Sequence, residues 1–552
     1  MPPDAPDPPW PHRVDAPQLS FIPQRMVSWL SPSILVEAAL RVVVSKLFGE
    51  YADKREFQAA LDPQPGPPVA YEEGDERDGA LWLDFVADLA DGFDSTYSVA
   101  CLLGRPSLGV GDAGGDYDLP RGRALVMGGD EVYSVPTRAD YENRFRGPYA
   151  AALPGPVSSQ PDLLAIPGNH DWYDGLTNFL RVFCARREIG AWQTRQRRSY
   201  FALRLPHRWW LLGIDIQLDT YIDDSQLEYF KGVGLQSGDR VILVTGKPSW
   251  VKVRPGHEPA SHRNLRYFKE HVVKPVGAEV KVTLTGDLHH YTRYATDDGD
   301  QLITAGGGGA FLYPTHHLQR ELRLPAQQGP HRLAARFPSA RESKQLTWGA
   351  VGLPKLAPGL CLILAVVYAL LDASLFAAIA FGPGWWVAVA IVAVLLAGAL
   401  LGYAAARTLP VRVLAGGGHA LAHIALAAAP AVITTLVIGA EGGVAGLLSA
   451  VASAAVGFSL GGVTFGLYLV LSHRFVPRHV NEVFACQGIP HYKNFLRLRL
   501  DESGLTIYPI GIRQVPLKWK PATRRGPEDP VLIPTDRELV AELIEPPIEV
   551  PG

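Results

Sequence analysis

Sulfur is scarce in this 552-residue chain, with four cysteines and three methionines. Cys101, Cys184, Cys361 and Cys486 stand far apart with no Cys-x-x-Cys pair, which excludes a disulfide framework and fits a reducing compartment. An excess of charge of either sign is missing too: 52 Lys and Arg face 55 Asp and Glu, for a formal net charge of -3. No long basic run marks a groove for a polyanion, so nucleic acid is disfavoured as an obligate partner. Residues 1–15 are rich in Pro and Asp and lack the basic start, apolar stretch and small-residue cleavage site of a signal peptide, so the N-terminus is expected to stay in the cytoplasm. The length calls for two to four domains.

Hydrophobicity is spread unevenly. Residues 80–330 alternate short apolar runs, such as Ala124-Leu125-Val126-Met127 and Val241-Ile242-Leu243-Val244, with polar, Gly-containing loops, the pattern of buried strands in an α/β domain. From about Gly359 four apolar stretches follow, 359–381, 385–406, 419–438 and 444–471, each long enough to cross a hydrocarbon core of roughly 30 Å. Arg341, Lys344 and Lys355 precede the first, Arg407 and Arg412 separate the second from the third, and Arg474 and Arg478 follow the fourth. The two other links carry only Glu441, so the basic side, with both termini and the α/β domain, is expected to be cytoplasmic.

Before the α/β domain, Ser31-Pro32 begins a helical spacing through Leu35, Ala38, Val42 and Leu47, a helix for the membrane surface or for the domain's flank. After the last span, residues 494–500 and 505–510 flank the turn Asp501-Glu502-Ser503-Gly504, a hairpin in a small C-terminal unit. The Pro-containing tail (Pro546, Pro547, Pro551) reads as disordered. The expected domains are therefore 1–79, an extension with an amphipathic helix; 80–330, the α/β domain; 331–355, a linker; 356–472, four membrane helices; and 473–552, a small cytoplasmic β-containing unit and tail.

Four segments place metal-type side chains just after apolar strands, where an open α/β sheet presents its ligands. They are Asp84 to Gly92 with Asp88 and Asp91, Gly128-Gly129-Asp130-Glu131-Val132-Tyr133, Gly168-Asn169-His170-Asp171, and Gly286-Asp287-Leu288-His289-His290. Each alone carries little; their joint order carries the argument. In that order the sequence resembles the calcineurin-like metallophosphoesterase superfamily, whose pattern is Asp-x-His, Gly-Asp, Gly-Asn-His-Asp/Glu, a lone His, then Gly-His-x-His. The resemblance covers about residues 80–315. It implies a four-layer α/β/β/α sandwich, Asp130 bridging two metals, Asp88 and His289 on the first metal, Asn169 on the second, and His170 at the leaving oxygen with Asp171 orienting it. The chemistry is consistent: paired cations polarise a phosphoryl oxygen and turn water into hydroxide, while an imidazole protonates the departing alkoxide.

Three positions depart from the pattern. Ala90 stands at the first-motif His. Tyr133, three after Asp130, gives the Gly-Asp-x-x-Tyr of purple acid phosphatase-like relatives and either replaces that ligand or is a core tyrosine; Asp91 is a second replacement or a helix cap. Asp287 stands for the first His of the last motif and favours harder ions, so two of Mn, Fe, Zn or Mg are the expected cofactors. Gly246, in Thr245-Gly246-Lys247, takes the place of the lone His, with Lys247 as a phosphate contact or a solvated side chain. Asp215, Asp219 and Asp223 read as loop structure. In the third span His419 and His423 share a helix face, as interfacial residues or as a metal, haem or proton site, with Asp372 as a partner. The expected activity is phosphoester hydrolysis by a metal-bound hydroxide, on a lipid-linked or nucleotide substrate beside membrane lipids. The alternative is a degenerate phosphoesterase serving as ligand sensor or scaffold.

Overall fold

The computed structural model describes residues 19–34, 53–61, 66–112, 115–216, 221–327, 329–404, 408–439, 443–475, 478–523 and 526–552. The chain divides into two compact units, one of residues 1–27, 38–339 and 490–552, the other of residues 28–37 and 340–489.

The first unit is mixed α/β and holds two nine-stranded sheets. In one, β1 (Leu81–Val86), β2 (Ala124–Met127) and β3 (Asp162–Ala165) run parallel. In the other, β4 (Arg240–Thr245), β5 (Glu279–Thr285) and β6 (Gln301–Ala305) are parallel neighbours. β1, β2 and β4 are nearly continuous apolar runs because both of their faces are covered. Alternate residues separate the faces: Leu81, Leu83 and Phe85 of β1 share one buried cluster with Ile242, Val244, Val282, Leu284 and Ile303 of the second sheet. The opposite face of β2, at Leu125 and Met127, packs with Phe93, Tyr97 and Leu102 of the helix Phe93–Gly104. That of β4, at Val241 and Leu243, packs with Phe230, Leu265 and Phe268.

The C-terminal hairpin forms as expected, from β7 (Lys493–Asp501) and β8 (Gly504–Ile512). It is not a separate unit. β7 lies antiparallel to β1, with Leu498 opposite Leu83 and Arg497 opposite Asp84. Leu496, Leu498 and Leu500 enter the cluster shared by the two sheets, and that burial is why the hairpin joins the domain. The expected linker is also corrected at its start, since His331–Phe337 is a strand of the second sheet. The tail is ordered at Ile548–Pro551, where Ile548 and Val550 bury themselves against β8. Of the expected N-terminal helix, Leu35, Ala38, Val42 and Leu47 lie outside the described residues, as does Asp219.

The second unit holds four helices whose length and apolar composition suffice to cross a membrane: α1 (Pro358–Phe381), α2 (Pro383–Tyr403), α3 (Leu409–Val437) and α4 (Gly443–Phe475). α3 starts well before the apolar run that marks it in sequence, so His419 and His423 fall inside the bundle instead of at its edge. They are 5% and 0% exposed.

Candidate active site

Asp88, Asp130 and Asp287 each follow the carboxyl end of a parallel strand, β1, β2 and β5. All three have left-handed backbones, with φ of 58°, 54° and 66°. Such conformations cost on the order of 1–3 kcal/mol each and persist where the surroundings over-determine them. Here the turns are stitched together by backbone hydrogen bonds: the N–H of Asp88 donates to Gly129 O at 3.0 Å, Leu89 N–H to Asp130 O at 2.9 Å, and Ala310 N–H to Asp88 O at 2.9 Å. The loop 306–309 passes so close that a Cβ on Gly306 would strike Asp88 Oδ2 and Leu288 O.

Tyr133 is the hub. Its buried hydroxyl oxygen lies 3.1 Å from Asp88 Oδ1, 3.2 Å from Asp130 Oδ2 and 3.0 Å from His289 Nε2. His289 Nδ1 is 2.7 Å from Phe311 O, a carbonyl that can only accept, so Nδ1 carries the hydrogen and Nε2 is bare. One phenolic proton thus serves three acceptor atoms. Asp88 Oδ2 is buried with no partner at all. Burial, then the charges of Asp130 and Asp287, raise the Asp88 pKa well above the carboxylate range, and burial with Asp287 raises Asp130 to about 7. Protons or a cation must supply the missing positive charge. Among the described residues no three His, Cys, Asp or Glu side chains form a metal-holding group by themselves. What draws Asp88, Asp130 and His289 together is the Tyr133 hydroxyl between them.

The remaining expected residues divide. Asp287 donates its backbone N–H to Asp88 Oδ1 at 3.0 Å, and its charge acts on both Asp88 and Asp130. Asn169 donates from Nδ2 to the Tyr173 hydroxyl at 3.1 Å. His170 joins the cluster through its backbone N–H, which donates to Asp130 Oδ1 at 2.9 Å. Its ring donates from Nδ1 to Ser134 O at 2.9 Å, leaving Nε2 as the bare nitrogen, and burial lowers its pKa to about 4. Asp171 turns its carboxylate to the backbone and to Tyr141. Its Oδ2 accepts the N–H groups of Gly168 at 2.8 Å and Glu131 at 3.1 Å, and its Oδ1 accepts the Tyr141 hydroxyl at 2.5 Å, so it shapes the turn and Ser134 holds the imidazole. Asp91 accepts Val27 N–H at 2.8 Å and Phe311 N–H at 3.1 Å, a structural tie. Asp215 and Asp223 pair with buried Arg55, in keeping with a loop role. Lys247 places its charge near enough to act on Asp130.

Two residues had no signal in the sequence. Lys493, fully buried at the start of β7, donates from Nζ to Ala310 O beside the loop. Burial lowers its pKa to about 7 while Asp91 and Asp88 oppose that shift. Asn494, buried next to it, donates its N–H to Gly307 O at 3.1 Å. Both follow the four apolar helices in the chain, far from every motif.

No family model matches the chain, and no curated protein matches it. Among solved structures, similarity is found to GAP50, the anchor in the inner membrane complex of Plasmodium, at 12% identity over 45% of this chain and 78% of that one, with a TM-score of 0.32. Similarity is also found to PhoD, at 10% identity over 45% of this chain and 59% of that one, with a TM-score of 0.28.

Proposed function

We propose that the protein is a metal-dependent phosphoester hydrolase held in a membrane by its four apolar helices. The observation that carries the reading is the Tyr133 hydroxyl, where one proton faces three acceptors beside an unpartnered carboxylate oxygen. A bound cation would supply Lewis-acid charge and lower the pKa of a coordinated water. Asp88, Asp130, Tyr133 and His289 would hold it, and Asn169 and Asp287 would complete a second position if the centre takes two ions. Mn, Fe, Zn and Mg are the ions to try, with the oxygen-rich set favouring the harder ones. His170 presents its bare Nε2 as an acceptor; a phosphate dianion beside it would favour the imidazolium, the form that protonates a leaving oxygen. Lys247 would add charge for the phosphoryl group.

The two sheets and their three apolar clusters support the four-layer sandwich implied by the sequence motifs. Basic residues at alternate helix connections support a cytoplasmic active site and termini, with a lipid-linked or nucleotide phosphoester as substrate. A sensor or scaffold with a degenerate site is the second reading, favoured by Ala90 and Gly246. The test is hydrolysis of chromogenic phosphomonoesters and diesters by the full chain across Mn²⁺, Fe²⁺, Zn²⁺ and Mg²⁺, with Asp130→Asn as control. Metal-dependent turnover lost in the control supports the enzyme; folded protein inert with every ion supports the sensor.

A further inference from the structure

Ionisable side chains inside an apolar helix bundle are costly and persist where they are paired or useful. The second unit buries a connected set of them. On α1, Tyr368 is fully buried, and its hydroxyl lies 2.7 Å from His423 Nδ1 on α3. His423 Nε2 in turn lies 2.9 Å from His419 Nε2. Both nitrogens of that second contact cannot be bare, so one carries the hydrogen. If Tyr368 donates to His423, then His423 Nε2–H donates to His419, and His419 keeps its other hydrogen on Nδ1. If every hydrogen hops one step the other way, His419 Nε2–H donates to His423, His423 Nδ1–H donates to Tyr368, and His419 Nδ1 is bare. The two arrangements have the same contacts and differ by one proton moved from end to end. Each ring gives up one hydrogen and takes one.

Both ends lead on. His419 Nδ1 is buried with no hydrogen-bond partner, and its ring stacks on Tyr468 of α4 with centroids 3.9 Å apart and planes at 6°. The Tyr468 hydroxyl is 3.4 Å from His479 Nε2, whose Nδ1 is 3.4 Å from Glu482 Oε1. Glu482, 38% exposed and beyond the last of the four apolar helices, marks the aqueous end. Tyr403 of α2 stacks on His479 with ring centroids 4.4 Å apart. At the other end, Asp372 follows Tyr368 by one turn on the same face of α1, roughly 20 Å along the helix from Pro358 at 1.5 Å per residue. It is fully buried and accepts the Ser449 hydroxyl at 2.7 Å.

We propose that Tyr368, His423 and His419 form a proton relay that connects the buried carboxyl of Asp372 with water at the His479 and Glu482 end. A proton entering at His419 Nδ1 sends one off Tyr368 towards Asp372, with no oxidation or reduction. The bundle is then a proton-exchanging element in its own right, independent of the chemistry of the α/β unit.

Infrared spectroscopy of the full chain in lipid nanodiscs tests this. A carboxyl C=O band that vanishes in Asp372→Asn identifies the group, and exchange into D2O gives the rate at which its proton reaches solvent. Tyr368→Phe keeps the ring and removes only the hydroxyl; it and His423→Phe are expected to slow the exchange by about tenfold or more, the rate cost of one hydrogen bond lost from the path. Ser449→Ala, which alters the band position but not the relay, is expected to exchange at the native rate. Unchanged exchange in Tyr368→Phe, with native helicity by circular dichroism, overturns the relay. So does the absence of any protonated Asp372 band, because no proton would then be there to carry.

Discussion

Arg497→Met is expected to destabilise the α/β unit far more than an ordinary core substitution. Arg497 is fully buried on β7, and it donates from Nε to Asp84 Oδ1 at 2.7 Å, from one terminal nitrogen to Asp84 Oδ2 at 3.1 Å and from the other to Leu119 O at 2.8 Å. Asp84, facing it on β1, also accepts Gly122 N–H at 3.0 Å. Methionine fills similar space but leaves the carboxylate buried and uncompensated, a loss of about 3–5 kcal/mol. Removing both charges in Asp84→Leu/Arg497→Met leaves only Gly122 N–H and Leu119 O short of partners, a cost of about 1–3 kcal/mol. The double variant should therefore be more stable than Arg497→Met alone, with a coupling of a few kcal/mol at most between adjacent sites. Urea titration followed by tryptophan fluorescence is well placed to show it, since Trp82 sits two residues from Asp84 on β1. If the double variant is as unstable as the two single losses combined, the ion pair does not hold β7 to β1, and side-chain packing alone does.

Tyr133→Phe should leave the fold intact and lower the affinity for added metal by about tenfold or more, since one donor is removed from the set; metal titration with elemental analysis checks it without reference to turnover. Gly306→Ala puts a Cβ against Asp88 Oδ2 and the backbone oxygen of Leu288, so the loop must shift, and both activity and melting temperature should fall; unchanged activity would separate the loop from the centre. Burial raises the pKa of Asp94, which accepts Trp519 Nε1–H at 2.9 Å, to about 7. Its ionised form is disfavoured in the fold, so below about pH 4 it has no effect, and stability falls as pH rises from there to about 7. Asp94→Asn should flatten that fall in a melting series across pH, and an unaltered slope would refute the assignment.

The α/β character and the four apolar helices were legible because buried parallel strands and long apolar helices impose their patterns locally. The convergence of Asp88, Asp130, Tyr133 and His289 was foreshadowed by the order of the motifs, which follow strands that short apolar runs announce, while the role of these residues as ligands rests on the resemblance. Asp171 was not legible, because the motif shows its place beside His170 but not which way its carboxylate turns, and Tyr141 and the Glu131 N–H capture it. Lys493 and Asn494 could not be read at all. They reach the site through strand pairing between distant parts of the chain, a contact that periodicity cannot encode. The histidine pair looked interfacial because the apolar run begins at His419, whereas the helix begins at Leu409.

The discontinuity of the first unit has a consequence for biosynthesis. β7 pairs with β1 only after the ribosome has made everything between Ser339 and Pro490, which at about 5–20 residues per second takes on the order of ten seconds or more. During that interval the edge of β1 is bare, Asp84 has no counter-ion and the glycine loop lacks Lys493. The apolar helices are thus made while four of the nine strands of that sheet are still missing, so a stalled or truncated product would carry every sequence motif of the site without the strand that brings Lys493 and Asn494 to it.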